Sequence, residues 1–114
     1  MIVPWERIRQ HYAAIAHCGA AWKAMLNLVD QITTSRYADG LFAWTSMNDL
    51  CIVQARVTYP YDGPYLRISP QADGQIEFRY LDTLAVDKQW HRTVAGNEAF
   101  RRLELFVNQL HWFA

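Results

Sequence analysis

Between residues 41 and 86, apolar and polar side chains alternate in four short segments, and this pattern restricts the fold more than any other feature of the chain. A period of two is typical of β-strands with one buried face. Turn-forming residues such as Asn48, Gly63 and Gly74 separate the segments. Because strands joined by short turns lie antiparallel, the pattern predicts a β-meander. The predicted strands are Leu41–Met47, Leu50–Tyr59, Tyr65–Ser69 and Gln75–Val86.

The lengths of the three turns predict which side chains share a face. A two-residue turn at Asn48 and Asp49, a four-residue loop at 60–63 and a three-residue loop at 72–74 all place apolar residues opposite apolar residues. One face of the sheet is therefore predicted to be a core face that helices must cover. Its predicted residues are Phe42, Trp44, Val53, Ala55, Val57, Leu66, Ile68, Ile76, Phe78 and Tyr80.

Three arginines on neighbouring strands are predicted to form one row on the opposite face. Directly opposite Cβ atoms are about 5 Å apart, so like charges in such a row repel and need compensation. Either Glu77 and nearby aspartates neutralise the row, or one register is wrong by a residue, or the row binds an anion. Arginine binds carboxylates through paired hydrogen bonds. We therefore expect this face to bind a protein partner with an acidic surface, through Arg56, Arg67, Arg79 and Tyr65.

A fifth strand is predicted after the meander if residues 86–88 form a three-residue loop. That loop pairs Asp82 with Arg92 at the rim of the core face, close to Tyr80, and places His91 on the opposite face. An alternative function follows, in which a pocket around Asp82 and Arg92 binds a small ligand or serves an enzyme. Whether the meander has four strands or five stays open.

The N-terminal segment has the pattern of a long amphipathic helix. From Trp5 to Val29, large apolar residues recur at spacings of three and four. At 1.5 Å per residue a helix over 4–33 is about 42 Å long, whereas a domain of this size has a radius of gyration of about 13 Å. We expect the helix to extend beyond the sheet or to bend near Gly19.

Some apolar residues on the two predicted helices have no obvious place on the sheet. A second apolar row on the first helix includes Met25 and Leu28. On the C-terminal helix, which Asn97 is predicted to cap, Leu105 and Trp112 lie off the main apolar face, to which Phe113 belongs. These residues either pack against one another or meet a partner or a second copy of the chain. The predicted helix surface for a partner is Met25, Leu28, Leu105 and Trp112.

The predicted fold class is α+β, in one domain over residues 1–114. It consists of a long N-terminal helix, an antiparallel meander of four or five strands and a C-terminal helix, with both helices on one face of the sheet.

A hydrophobic content of 52% excludes disorder caused by low hydrophobicity. The formal net charge is zero, so a general nucleic-acid binder is not favoured. Weak binding of single-stranded nucleic acid through the arginine row stays open, with Tyr65 as the one aromatic platform.

No sequence pattern marks a catalytic or cofactor site. The chain contains no nucleophile-elbow, phosphate-loop or zinc-protease motif, and its four histidines and two cysteines lack the spacing of metal ligands. We expect free thiols, no metal and no cofactor, and catalysis is the less favoured function.

The first ten residues include charged side chains and no apolar run, and no apolar stretch in the chain approaches about 20 residues. The expectation is a cytoplasmic protein without a membrane partner.

These observations together favour a non-catalytic protein-interaction module of the adaptor or toxin-neutralising type. Its predicted binding surfaces are the exposed sheet face and the apolar helix surface. A homodimer formed through the first helix is the predicted form of self-association.

Overall fold

A computed structural model describes residues 1–112, and within this range the chain forms three α-helices and five β-strands. The helices are α1 (Trp5–Ile15), α2 (Ala20–Thr33) and α3 (Ala99–Gln109). The strands are β1 (Phe42–Ser46), β2 (Asp49–Val53), β3 (Tyr65–Pro70), β4 (Gln75–Leu81) and β5 (Trp90–Ala95). The structure confirms the α+β fold and the fifth strand. Phe113, predicted to lie on the apolar face of the last helix, is outside the described residues.

The N-terminal helical segment folds back on itself at the expected position. A single 3₁₀ turn, Ala16–Cys18, follows α1, and Gly19 has φ 150° and ψ 174° before α2 begins. Such a positive φ is almost restricted to glycine. Arg9 on α1 therefore reaches Asp30 on α2, with which it forms an ion pair. The bend near Gly19 is confirmed, and it is a reversal that turns one long helix into a pair.

The five strands form one antiparallel sheet in the order β1-β2-β3-β4-β5, which is the predicted meander. All three helices cover the same face: α1 contacts β1, α2 contacts β3 and β4, and α3 contacts β5. We call the face away from the helices the outer face. Because the N-terminal helical segment reverses direction, the domain is compact, with a radius of gyration of 13.2 Å.

The core lies between the sheet and the three helices. Tyr12 of α1 is fully buried there, and its hydroxyl donates a hydrogen bond to the carbonyl oxygen of Asn48 at 2.8 Å. Each large apolar side chain that is fully buried contributes about 1.5–3 kcal/mol to folding. The largest of them on the sheet are Leu50, Ile52, Leu66, Ile68, Ile76 and Phe78, and those on the helices include Ile8, Met25, Leu28 and Ile32.

The first hairpin has a different turn from the predicted one. Met47 and Asn48, with φ of 51° and 68°, occupy the turn, and Asp49 already belongs to β2. Positive φ at both central residues is what a tight two-residue hairpin requires. This change shifts the pairing of β1 with β2 by two residues, an even number, so the faces of these two strands still match. The faces of both strands are instead reversed by the register between β2 and β3, in which Cys51 and not Arg56 lies opposite Arg67, a shift of five residues. Trp44 therefore pairs with Cys51 on the outer face, and the prediction that Phe42, Trp44 and Val53 lie on the core face is wrong.

Strand β2 is shorter than predicted. It ends at Val53, and residues 54–64 form a loop that contains a cis peptide bond before Pro60. Ala55 and Val57 are consequently outside the sheet, and the prediction that they form part of its core face is wrong. The strand ends early because β1 offers it five partners, Phe42–Ser46, and no more.

The pairing of β4 with β5 is shifted by four residues from the predicted register. Tyr80 lies opposite Trp90, and Arg92 lies opposite Phe78, so Asp82 and Arg92 do not pair. The Gln89 side chain donates a hydrogen bond to the carbonyl oxygen of Thr83 at 2.8 Å, which closes residues 82–89 into a longer connection. Since the shift is even, each side chain keeps its predicted face. The pocket predicted around Asp82 and Arg92 is not formed.

Candidate functional site

The outer face carries one row of side chains drawn from all five strands. Arg67 on β3 lies directly opposite Arg79 on β4, which confirms the predicted adjacency. On β5 the row continues to His91, which is on the predicted face but beside Arg79. On β2 and β1 the row continues to Cys51 and Trp44.

Both paired arginines have acidic partners within the sheet. Arg67 Nε donates to Asp49 Oδ2 at 2.7 Å, and its Nη2 donates to the carbonyl oxygen of Ser46 at 3.2 Å. Arg79 Nη2 lies 3.5 Å from Glu77 Oε2. Burial lowers the pKa of Arg67, but its hydrogen bond to Asp49 contributes to a net increase, so the guanidinium keeps its charge. Internal carboxylates therefore neutralise the pair, which leaves less reason to expect an acidic partner at this position.

Arg56 does not belong to the row, so this part of the predicted site is wrong. It lies in the loop after β2, and its guanidinium carbon is 5.3 Å from the centroid of the Phe42 ring. The error has a single cause, because the prediction extended β2 six residues beyond its observed end at Val53.

Aromatic side chains form a cluster on the outer face that the sequence pattern did not reveal. The ring of Trp44 lies 5.4 Å from that of Tyr65 and 6.3 Å from that of Tyr61, measured between centroids. Tyr61 is anchored through its hydroxyl, which donates to the carbonyl oxygen of Pro64 at 2.7 Å. The predicted register between β2 and β3 placed Trp44 in the core, so Tyr65 was the one aromatic side chain expected on this face.

The predicted helix surface is largely internal. Met25 and Leu28 are 0% and 1% exposed, so neither can contact a partner, and this part of the predicted site is wrong. The rest of the domain covers their row, which was the alternative. Trp112 packs against Tyr80 and Phe106 at centroid distances of 6.0 and 5.3 Å. Leu105 is partly buried beside Val94.

An apolar groove lies at the end of the sheet where β3 begins and β4 ends. It encloses about 510 Å³ between the loops 54–64 and 82–89. Leu84 is 99% exposed and Val86 is 66% exposed, although both are large hydrophobic residues. We use the name apolar groove for this site and the side chains that line it. Its apolar residues are Tyr65, Leu81, Leu84 and Val86, and its acidic residues are Asp62 and Asp82.

The carboxylates of Asp62 and Asp82 line the apolar groove. Asp62 and Asp82 form no ion pair with any residue in the described range. Burial raises the pKa of Tyr61, and the charge of Asp62 raises it further. Burial and then the charge of Asp82 raise the pKa of Tyr80 in the same way. The apolar lining and the two carboxylates together complement a ligand that has an apolar side chain with cationic neighbours.

Residues 1–112 contain no cluster of three or more histidine, cysteine or acidic side chains arranged to hold a metal ion. Burial raises the pKa of the Cys51 thiol to about 11, so the thiol is protonated at neutral pH and is a poor nucleophile. Over the same range, no helix has both the length and the apolar character needed to cross a membrane.

Comparison with family models, curated proteins and solved structures found no match to this chain. The geometry described above is therefore the basis for the function proposed below.

Proposed function

We propose that this domain is a non-catalytic protein-interaction module, and that a partner protein binds in the apolar groove. The observation that carries the proposal is the exposure of Leu84, 99% of whose surface is open to solvent beside Val86. Contiguous apolar surface of this kind on a folded domain is characteristic of an interaction site. Burial of one such side chain by a partner contributes about 1.5–3 kcal/mol to binding.

The acidic rim specifies the chemistry of the partner. Within residues 1–112 neither Asp62 nor Asp82 has an ion-pair partner, whereas Arg67 and Arg79 each have one. A partner segment with one large apolar residue flanked by lysine or arginine fills the groove and pairs with its rim. The expected partner at this site is thus basic and apolar, in contrast to the acidic partner predicted from the arginine row.

The proposal is tested with a random peptide library displayed on phage and selected on the intact domain. Selected peptides should contain a large apolar residue next to basic ones. Leu84→Asn should weaken their binding at least tenfold, because it removes the apolar contact without disturbing the fold.

A matched control is available at the opposite end of the sheet. Met47 is 92% exposed in the turn between β1 and β2, so Met47→Asn removes a similar exposed side chain far from the apolar groove. Binding of the selected peptides should be unchanged in this variant. Failure to select any peptide, or peptides that bind Leu84→Asn as tightly as the parent domain, would contradict the proposal.

A further inference from the structure

The two edges of the sheet differ in how they are protected. At the β1 edge, Val3 forms a bridge to Ala43, and its amide donates to the Ala43 carbonyl oxygen at 2.8 Å. At the other edge, β5 pairs with β4 alone among the described residues. An edge strand presents every second N–H and C=O group to the solvent as a template for another strand. The free edge of β5 is six residues long and contains no proline.

A cavity between β5 and α3 adjoins this free edge. It encloses about 260 Å³ and is lined by apolar atoms of Val94 and Leu105 together with Glu98, Arg101 and Arg102. The Nε of Arg102 is buried and has no hydrogen-bond partner in the described part of the chain. A buried donor without an acceptor is costly, and the cost of a charged group is larger still.

A second cation lies on the same side of β5. Arg92 is opposite Phe78, a core residue, so its side chain projects toward the helix side of the sheet. Arg92 is exposed, and none of the ion pairs in residues 1–112 includes it. In the part of the chain that the structure describes, two cationic side chains near the free edge thus form no ion pair, Arg92 on the strand and Arg102 on the adjoining helix.

We propose that the free edge of β5 binds an extended acidic segment of another protein as a sixth strand. Main-chain hydrogen bonds to β5 provide the pairing, and alternate acidic side chains face Arg92 and Arg102. A second copy of this chain is a poorer occupant, because antiparallel pairing of β5 with itself brings the two Arg92 side chains close together. This site is separate from the apolar groove, and it goes beyond the proposed function because it takes a ligand of opposite charge.

The probe for this site is a capped, fluorescein-labelled heptapeptide in which threonine and glutamate alternate. Its affinity for the intact domain is measured by fluorescence anisotropy and compared with that of a threonine/lysine peptide of equal length. The acidic peptide should bind at least tenfold more tightly. Arg92→Gln and Arg102→Gln should each weaken its binding at least fivefold. Arg7→Gln is the matched control and should change binding less than twofold, since Arg7 is exposed on α1, which contacts β1 at the opposite edge of the sheet.

Main-chain pairing is tested without changing the protein. Two versions of the acidic peptide carry N-methyl groups on alternate residues in complementary patterns, so that each version blocks one edge of the peptide. One pattern should abolish binding and the other should preserve it, because a strand added to β5 uses one edge only. Equal effects of both patterns, equal affinity for the acidic and basic peptides, or a dimer joined through β5 in light scattering and amide-exchange measurements would each overturn the proposal.

Discussion

At the scale of single residues, the two cysteines lie in opposite surroundings. Cys51 is fully buried on the outer face, and burial raises its pKa to about 11, whereas Cys18 is exposed at the end of the 3₁₀ turn between α1 and α2. Since the thiolate is the reactive form, a maleimide should label one thiol per native chain rapidly and the second only after unfolding. Mass spectrometry should place the fast label on Cys18, and Cys18→Ser should abolish it. Equal labelling rates for both thiols would contradict the burial of Cys51.

The positions of some single residues could be predicted from the sequence, and those of others could not. The adjacency of Arg67 and Arg79 was predictable, because the loop at 72–74 has a glycine that specifies its turn and hence the register. The position of Cys51 was not predictable. Its face depends on the register between β2 and β3, and the loop 54–64 that joins these strands has no periodic pattern from which that register could be predicted.

At the scale of elements, the reversal between α1 and α2 depends on the backbone of Gly19. Its φ is 150°, and apart from Gly19 and its adjacent residues no atom lies within 4 Å of the position that a Cβ atom would occupy. Gly19→Ala therefore introduces backbone strain without a steric clash, and we expect it to lower the free energy of unfolding by about 1–3 kcal/mol. Urea denaturation measures the change.

D-alanine is the matched control at this position, because its preferred backbone conformations are the mirror image of those of L-alanine. A chain with D-alanine at 19 can be assembled by chemical ligation at Cys18, and its stability should equal or exceed that of the parent. A loss of stability with D-alanine as large as with L-alanine would show that the side chain, and not the φ angle of Gly19, causes the effect.

Element types were easier to predict than element ends. The helices and strands followed from apolar periodicity, but the end of β2 depends on how many partners β1 provides, and periodicity within one strand contains no information on that length. The apolar groove was missed for a related reason. Its walls are the loops 54–64 and 82–89, which are shaped by the Tyr61–Pro64 and Gln89–Thr83 hydrogen bonds and have no periodic pattern.

At the scale of the whole molecule, two buried acidic groups, the Tyr12 hydroxyl and the Cys51 thiol, make the free energy of unfolding decrease at alkaline pH. Burial raises the pKa of Tyr12 well above its usual value of 10.0 and raises that of Cys51 to about 11. The folded state therefore retains both protons at a pH where the unfolded chain has released them. Stability from this source is complete below about pH 9 and declines as the pH rises toward 11. Cys51 alone contributes up to about 3 kcal/mol to the decline.

Urea denaturation between pH 8 and 11 tests the assignment of this decline to two residues. Tyr12→Phe lowers stability at pH 8, because it removes the 2.8 Å hydrogen bond to Asn48, yet it should reduce the loss between pH 8 and 11. Cys51→Ala should also reduce that loss, whereas Cys18→Ser, at an exposed thiol, should not change it. A pH dependence in the Tyr12 and Cys51 variants identical to that of the parent would mean that other groups cause the decline. A smaller dependence in both would assign the alkaline decline in stability to the phenol of Tyr12 and the thiol of Cys51.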